Sequence, residues 1–477
     1  MAATDLRGWL KEVGEMGELQ VIENVDWNLE LGAIAELNLR RQERPALYFK
    51  KIKDYPDEYG VVAGSLTNTS RFAHVYNLPR VKTWREMLEI VRVKYGVWQS
   101  ALDQFPPEEV KDGPILQNIQ KGDDVDILKF PTPLWHELDG GRYIGTGCAE
   151  ITRDRETKEI NLGCHRVMIH DKKTVGFHMT PGRHCRVHID KDQARGERSP
   201  IAISIGQHPL IFAAAGSEVP HEPRSEYHFI GAVRQERVKV IREELTGLPI
   251  PADAEIVIAG WVPLNKTRKE GPFGEFTGYY SSEDEVDQPI IEIERVYYRD
   301  NPIILGAPPN RPPDEYSKMM DIIRSAKLYN DLESAGVPEV KGVWVSDVGR
   351  QLLITVAIKQ RHAGHARQAA LAACPGYTMG RYVIVVDEDI DPTDSDDVLW
   401  AMCTRTDPVR DIDIIREMRS IPLDPIVRKP TESYMTSRAI INACKPYEWK
   451  ERFPKAIKMS KELEEQIRTK WGKTLNI

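Results

Sequence analysis

The strongest constraint on the fold is the stretch from about Gly145 to Tyr298. Short apolar runs succeed one another there across polar and glycine turns, among them Ile201-Ala202-Ile203-Ser204-Ile205, Ala254-Glu255-Ile256-Val257-Ile258 and Ile290-Ile291-Glu292-Ile293. Runs this short, rich in β-branched residues and bounded by turns, fit strands rather than helices, so a β-rich, barrel-like unit is expected. The flanks have a different texture. After Thr4-Asp5, a helix-capping pair, Leu6, Leu10 and Val13 recur at helical spacing, and Leu29 to Leu39 repeats the pattern before the strand-like Ala46-Leu47-Tyr48-Phe49. Another helical stretch runs from Trp84 to Phe105 and stops at Phe-Pro-Pro, and Lys111-Asp112-Gly113-Pro114 reads as a boundary. Beyond Pro312-Pro313, strands at Gly342–Val345, Leu352–Val356 and Tyr382–Val386 alternate with helical segments. The expectation is an α/β (α+β) chain: an N-terminal α/β domain over 1–115, a barrel-like central domain over 116–311 and a C-terminal α/β domain over 312–477. Near the end, Leu463, Ile467 and Trp471 form one apolar stripe on a helix begun at Ser460 and stopped by Gly472. That stripe needs a cover, either its own chain or another subunit; the second case makes it an oligomerisation helix in a homodimer or larger homo-oligomer.

A chain of 477 residues supports about three domains and a cleft between them. With 65 basic against 73 acidic residues and a net charge of -8, it lacks the positive surplus that a nucleic-acid partner demands. The six cysteines are scattered without a CxxC pair, which points away from a disulfide framework or thiolate zinc and towards a reducing cytoplasm. The first residues, Met1 to Met16, are amphipathic and charged rather than signal-like, and no run approaches the ~20 apolar residues of a membrane span, so a soluble protein is expected. Several common chemistries lack their motifs. There is no GxxxxGK[ST] loop and no GxSxG elbow, and Gly145-Thr146-Gly147 lacks the third glycine of a dinucleotide fingerprint. Asp387-Glu388-Asp389-Ile390-Asp391 opens like a calcium loop but meets Pro392 where glycine is needed. It fits a strand-to-helix turn instead, with Asp394 or Ser395 capping the helix that holds Val398, Leu399 and Trp400.

The stretch with most chemical content is Lys269-Glu270-Gly271-Pro272-Phe273-Gly274-Glu275-Phe276-Thr277-Gly278. Neither a strand nor a helix would pair Glu270 with Glu275, whereas a turn at Gly271-Pro272, released again at Gly274, would bring both into one space. The alternative is a surface hairpin carrying two solvated glutamates. Three other segments carry residues of the same kind: Asn161-Leu162-Gly163-Cys164-His165-Arg166, Pro181-Gly182-Arg183-His184 and Ser225-Glu226 through Gly231-Ala232. Any one of these side chains fits an ordinary strand or helix end. Taken in order and spacing, the set N-x-x-x-x-R, P-x-x-H, S-E-x-x-x-x-G-A and E-G-P-F-G-E resembles the UbiD decarboxylases, and the resemblance extends over almost the whole chain.

The resemblance implies a central FMN-binding split β-barrel and a reversible, non-oxidative decarboxylation that uses prenylated FMN made by a flavin prenyltransferase. It implies that Asn161, His184 and Glu226 hold Mn2+ or Mg2+ against the cofactor phosphate, with K+ nearby. An amide, an imidazole and a carboxylate suit such an ion better than structural zinc. It further implies that Arg166, Glu270 and Glu275 surround the reactive face, Arg166 pairing with Glu270 while Glu275 delivers a proton. Cys164 and Arg183 would border the pocket; Cys164 equally fits a small buried hydrophobe, and Arg183 a surface salt bridge. Arg381, where related sequences often carry lysine, would meet the phosphate. Pro133-Leu134-Trp135-His136 with Asp139-Gly140-Gly141 resembles the branches acting on aromatic or heteroaromatic carboxylic acids. Two other functions compete with this one: a flavin oxidoreductase on a related barrel, and a non-catalytic cofactor-binding subunit of a multi-subunit decarboxylase.

Overall fold

The computed structural model describes residues 3–180, 182–219, 224–280, 285–374, 380–421, 423–427 and 434–475. Pro181 of the P-x-x-H motif lies outside them. The described strands form four sheets. In the first, Leu19–Glu23, Ala46–Lys50 and Gly60–Ala63 lie side by side and are joined by Ile303–Gly306, which returns from far along the chain to pair in parallel with Gly60–Ala63. Helix Leu6–Glu15 accompanies them; the Asp5 side chain accepts from Gly8 N at 2.8 Å, and Leu6, Trp9, Leu10 and Val13 are buried on one face. Helix Trp84–Ala101 begins with a reciprocal Thr83 and Glu86 capping box and stops at Ala101, short of Phe105, where Leu102–Gln104 tightens into a 3-10 turn.

The central sheet has ten strands, all antiparallel, and runs Tyr143–Gly145, Val167–Asp171, Thr174–Phe177, Val286–Tyr298, Ile256–Val262, Ser199–Ile205, Ala149–Arg153 and Ile160–Gly163. Thr267–Glu270 and Asn118–Lys121 also pair with the long strand Val286–Tyr298. Side-chain alternation splits the core: Ile201, Ile203 and Ile205 pack with Tyr143, Phe177 and Ile258, while Ala202, Val257 and Ala259 face Phe212, Phe229 and the N-terminal helices. The sheet therefore curls with apolar residues on both faces, a half-barrel rather than a flat layer. Glu108–Glu109 already pairs with Lys239–Arg242, so the chain enters the central unit before Lys111-Asp112-Gly113-Pro114.

Helix Glu315–Ser334 leads out of the central unit and packs on helix Trp84–Ala101 and on strand Val340–Val345. The C-terminal sheet runs Val340–Val345, Leu353–Ile358, Tyr382–Asp387, Met435–Ala443 and Ile412–Arg419, with parallel pairing around Tyr382–Asp387. Asp394, rather than Ser395, caps helix Ser395–Arg405 by accepting from Asp396 N and Asp397 N. The last helix, Lys461–Leu475, begins where Ser460 Oγ accepts from Leu463 N at 3.1 Å. It does not stop at Gly472 but runs through it; an interior glycine costs a helix only about 1 kcal/mol, less than is needed to end one. Leu463, Trp471 and Leu475 on this helix are about half exposed. No helix among the described residues is long and apolar enough to cross a membrane.

Candidate active site

Arg166 stands immediately before strand Val167–Asp171, and Glu270 ends strand Thr267–Glu270. The fold brings them together with Glu275. Arg166 Nε donates to Glu270 Oε1 and Nη2 to Glu270 Oε2, both at 2.8 Å, while Nη1 donates to Glu275 Oε1 at 2.5 Å. The side chains of Arg166, Glu270 and Glu275 are 8%, 0% and 12% exposed, so the solvated hairpin is excluded. Burial pulls the Arg166 pKa down, but Glu275 and Glu270 together more than offset this and leave it above its ordinary value. The guanidinium is a fixed charge that fastens two acids. Glu270 is held further by Tyr143, whose hydroxyl donates to Oε1 at 2.9 Å and whose ring stacks on buried Phe273 at 3.8 Å between centroids. Burial first, and then the Glu270 charge, push the Tyr143 phenol pKa up, keeping it a donor. His178 Nδ1 lies 3.3 Å from Arg166 Nη2 and 3.7 Å from Glu270 Oε2.

Local backbone explains why the turn sits where it does. Gly271 has φ +87°, open to glycine at little cost, and the Gly271-Pro272 bond is cis. Gly140 N donates to Pro272 O at 2.8 Å, and a Cβ on Gly140 would lie 1.8 Å from Gly271 O, so only glycine permits the approach. Beyond the turn, Glu275 N donates to Tyr279 O at 2.9 Å and Gly278 N to Glu275 O at 2.8 Å.

Arg166 and Glu275 open on a cavity of about 1130 Å³, whose wall also includes Asn161, Cys164, Arg183, His184 and Glu226. Ligand pockets usually span about 300–1,000 Å³, so this one has room for a flavin nucleotide and a small acid together. Asn161 lies buried in strand Ile160–Gly163. Glu226 is the buried first residue of helix Glu226–Arg234, and its Oε2 accepts from Leu162 N at 2.7 Å. His184 opens helix His184–Gln193 and is exposed. Among the described residues no cluster of three or more His, Cys, Asp or Glu side chains forms a metal site; the Asn161 amide, His184 and Glu226 share this wall. Two helix starts beside hard oxygen and nitrogen donors fit a cation holding an anionic phosphate.

Arg183 is exposed at the cavity wall. Cys164 combines both of its readings, lining the cavity while packing against the apolar cores. Arg381 is not brought to this wall among the described residues; its Nη2 binds both carboxylate oxygens of buried Asp424. Several wall residues carry no motif. His178, one residue past strand Thr174–Phe177, is one of them; Tyr143, which opens strand Tyr143–Gly145 and holds Glu270 rather than lining the cavity, is equally unmarked in the sequence. Tyr316, Met320 and Arg324 also line the cavity, and their regular spacing along helix Glu315–Ser334 was the available signal.

Fold and site together define a class: an enzyme whose acids are fixed by one arginine at the wall of a cofactor-sized cavity between a curled sheet and its α/β neighbours. Family models agree along the chain. Those for the 3-octaprenyl-4-hydroxybenzoate carboxy-lyase N-terminal, Rift-related and C-terminal domains match residues 10–91, 108–312 and 317–443. The chain belongs to the UbiD family of carboxy-lyases. It is 31% identical to the pyrrole-2-carboxylic acid decarboxylase of Pseudomonas aeruginosa, over 93% of this chain and 92% of that one. It is 30% identical to the phenolic acid decarboxylase of Bacillus subtilis, over 94% and 93%. Among solved structures it resembles the UbiD-class enzyme HmfF from Pelotomaculum thermopropionicum in complex with FMN (TM-score 0.84, 27% identity, 97% and 98% covered). An evolved dimeric form of that enzyme with prFMN aligns at TM-score 0.79 and 25% identity, over 96% and 97%.

Proposed function

We propose that the protein releases carbon dioxide from an aromatic or heteroaromatic carboxylic acid with the help of prenylated FMN, in a reaction that is formally reversible. The observation that carries this reading is the buried Arg166 holding both Glu270 and Glu275 at the cavity wall. The substrates named for the curated relatives, pyrrole-2-carboxylic and phenolic acids, and the flavins bound by the structural neighbours support it. Loss of carbon dioxide leaves an electron pair in the plane of the ring, and the bound prenylated flavin supplies the electron sink that side chains lack. The chain's own residues do the rest. Asn161, His184 and Glu226 would hold Mn2+ or Mg2+ against the cofactor phosphate, with K+ alongside. Arg166 holds Glu270 in place through two hydrogen bonds, and the Tyr143 hydroxyl anchors that carboxylate a third time. Glu275 meets Arg166 through Nη1 and borders the cavity, so it is the acid placed to take up a proton and pass it to the carbon that lost carbon dioxide. Arg381 would have to leave Asp424 before it could meet a phosphate. We place the enzyme in the cytoplasm, supplied with cofactor by a flavin prenyltransferase and working as a homodimer or larger homo-oligomer.

The test is production alongside a flavin prenyltransferase, followed by a panel of aromatic and heteroaromatic acids and measurement of carbon dioxide release. The purified single chain should decarboxylate at least one of them, an outcome that also excludes an accessory subunit. NAD(P)H oxidation with bound unmodified FMN and no carbon dioxide would overturn the proposal in favour of an oxidoreductase.

A further inference from the structure

Helix Glu315–Ser334 presents Tyr316, Met320 and Arg324 to the cavity at one residue per turn, along a single face. Arg324 is 8% exposed. Its Nη2 lies 3.3 Å from Glu218 Oε1, but Nε and Nη1 are buried without a hydrogen-bond partner among the described residues. Asp321, one turn earlier, is fully buried, and neither of its carboxylate oxygens takes up those protons. A guanidinium cannot shed its charge to escape this situation, and buried donors left unanswered are costly. Its planar fork matches the paired oxygens of a carboxylate or a phosphate, and those are the groups that would answer it.

We propose that Arg324 is the cavity's anchor for an oxyanion other than the carboxylate that reacts at Arg166 and Glu275. Given the decarboxylase reading on which this rests, two sources offer such a group: a second acid group on the substrate, or the phosphate of the flavin nucleotide. The experiment uses the purified full-length chain and binding rather than turnover. Terephthalate is compared with benzoate, and FMN with riboflavin, each pair differing by one anionic group. Because removing Arg324 alone would take the paired cation from half-buried Glu218, the variant is Arg324→Met combined with Glu218→Gln, with Glu218→Gln alone and Arg324→Lys as companions, all compared by circular dichroism and melting in plain buffer. The parent should favour the more anionic member of one pair by about tenfold or more. The double variant should lose that preference, Glu218→Gln should keep it and Arg324→Lys should keep part of it. Loss between terephthalate and benzoate assigns the substrate's second acid; loss between FMN and riboflavin assigns the phosphate. A parent with neither preference, or a folded double variant that keeps both, overturns the proposal; if the double variant does not fold, an Arg324→Lys variant with undiminished preferences does so. A parent that binds no flavin yet prefers terephthalate would sink the decarboxylase reading while leaving Arg324 as an oxyanion site.

Discussion

Arg166 touches two acids, and we propose different work for them. Glu270 meets two guanidinium nitrogens and the Tyr143 hydroxyl with no exposure, whereas Glu275 meets Nη1 and borders the cavity. Glu275→Gln keeps the shape of the side chain but cannot act as a carboxylic acid. Turnover should fall by about 10²–10⁴-fold while flavin content, metal content and melting temperature stay near those of the parent. Solvent deuterium should enter the product carbon in the parent at a rate the variant does not approach. Parental rate and full deuterium incorporation in a cofactor-loaded variant would make the turn structural only. Both glutamates and Arg166 were legible in the sequence because a rigid turn and an ordered set of motifs mark them. Tyr143 and His178 were not, since each is an ordinary side chain until strands distant in sequence lie together. For the same reason Arg381 gave no sign of Asp424, which reaches it from beyond strand Ile412–Arg419.

Helix starts contribute two of the cavity's wall residues. His184 and Glu226 are each the first residue of a helix, and both helices pack against strand Ile160–Gly163, which carries Asn161. Because His184 is exposed, His184→Ala should leave the fold intact, with melting unchanged within a few degrees. Purified after production with a flavin prenyltransferase, it should have lost most of its metal by elemental analysis and most of its flavin by absorbance. Full retention of both removes His184 from the ligand set. Elements with chemical punctuation were readable in advance: Asp5 and Ser460 open helices, and Leu6, Leu10 and Val13 share one buried face. Stops were less legible. Gly472 sits inside its helix, and the helix from Trp84 gives way to a tighter turn after Ala101, because local residues weight an ending without deciding it.

At the scale of the molecule, the terminal helix Lys461–Leu475 leaves Leu463, Trp471 and Leu475 about half exposed, so we propose that a second copy of the chain covers them. Light scattering at working concentration should give at least a dimer, and Leu463→Glu with Trp471→Glu should shift it towards monomer while keeping the circular dichroism spectrum. A parent that is already monomeric rules this out. The three textures of the chain were visible in its apolar periodicity, but the partnership between its first and fourth hundreds of residues was not, since strand pairing over such a separation leaves no local mark. Strand Gly60–Ala63 is buried throughout, and its outer neighbour among the described strands is Ile303–Gly306. During synthesis the first sheet therefore keeps an open edge until residue 306 has left the ribosome, by which time the strands of the central barrel have already emerged. The order in which the polypeptide is made is not the order in which its units can be completed, and any fragment ending before that strand carries an unfinished, aggregation-prone first unit.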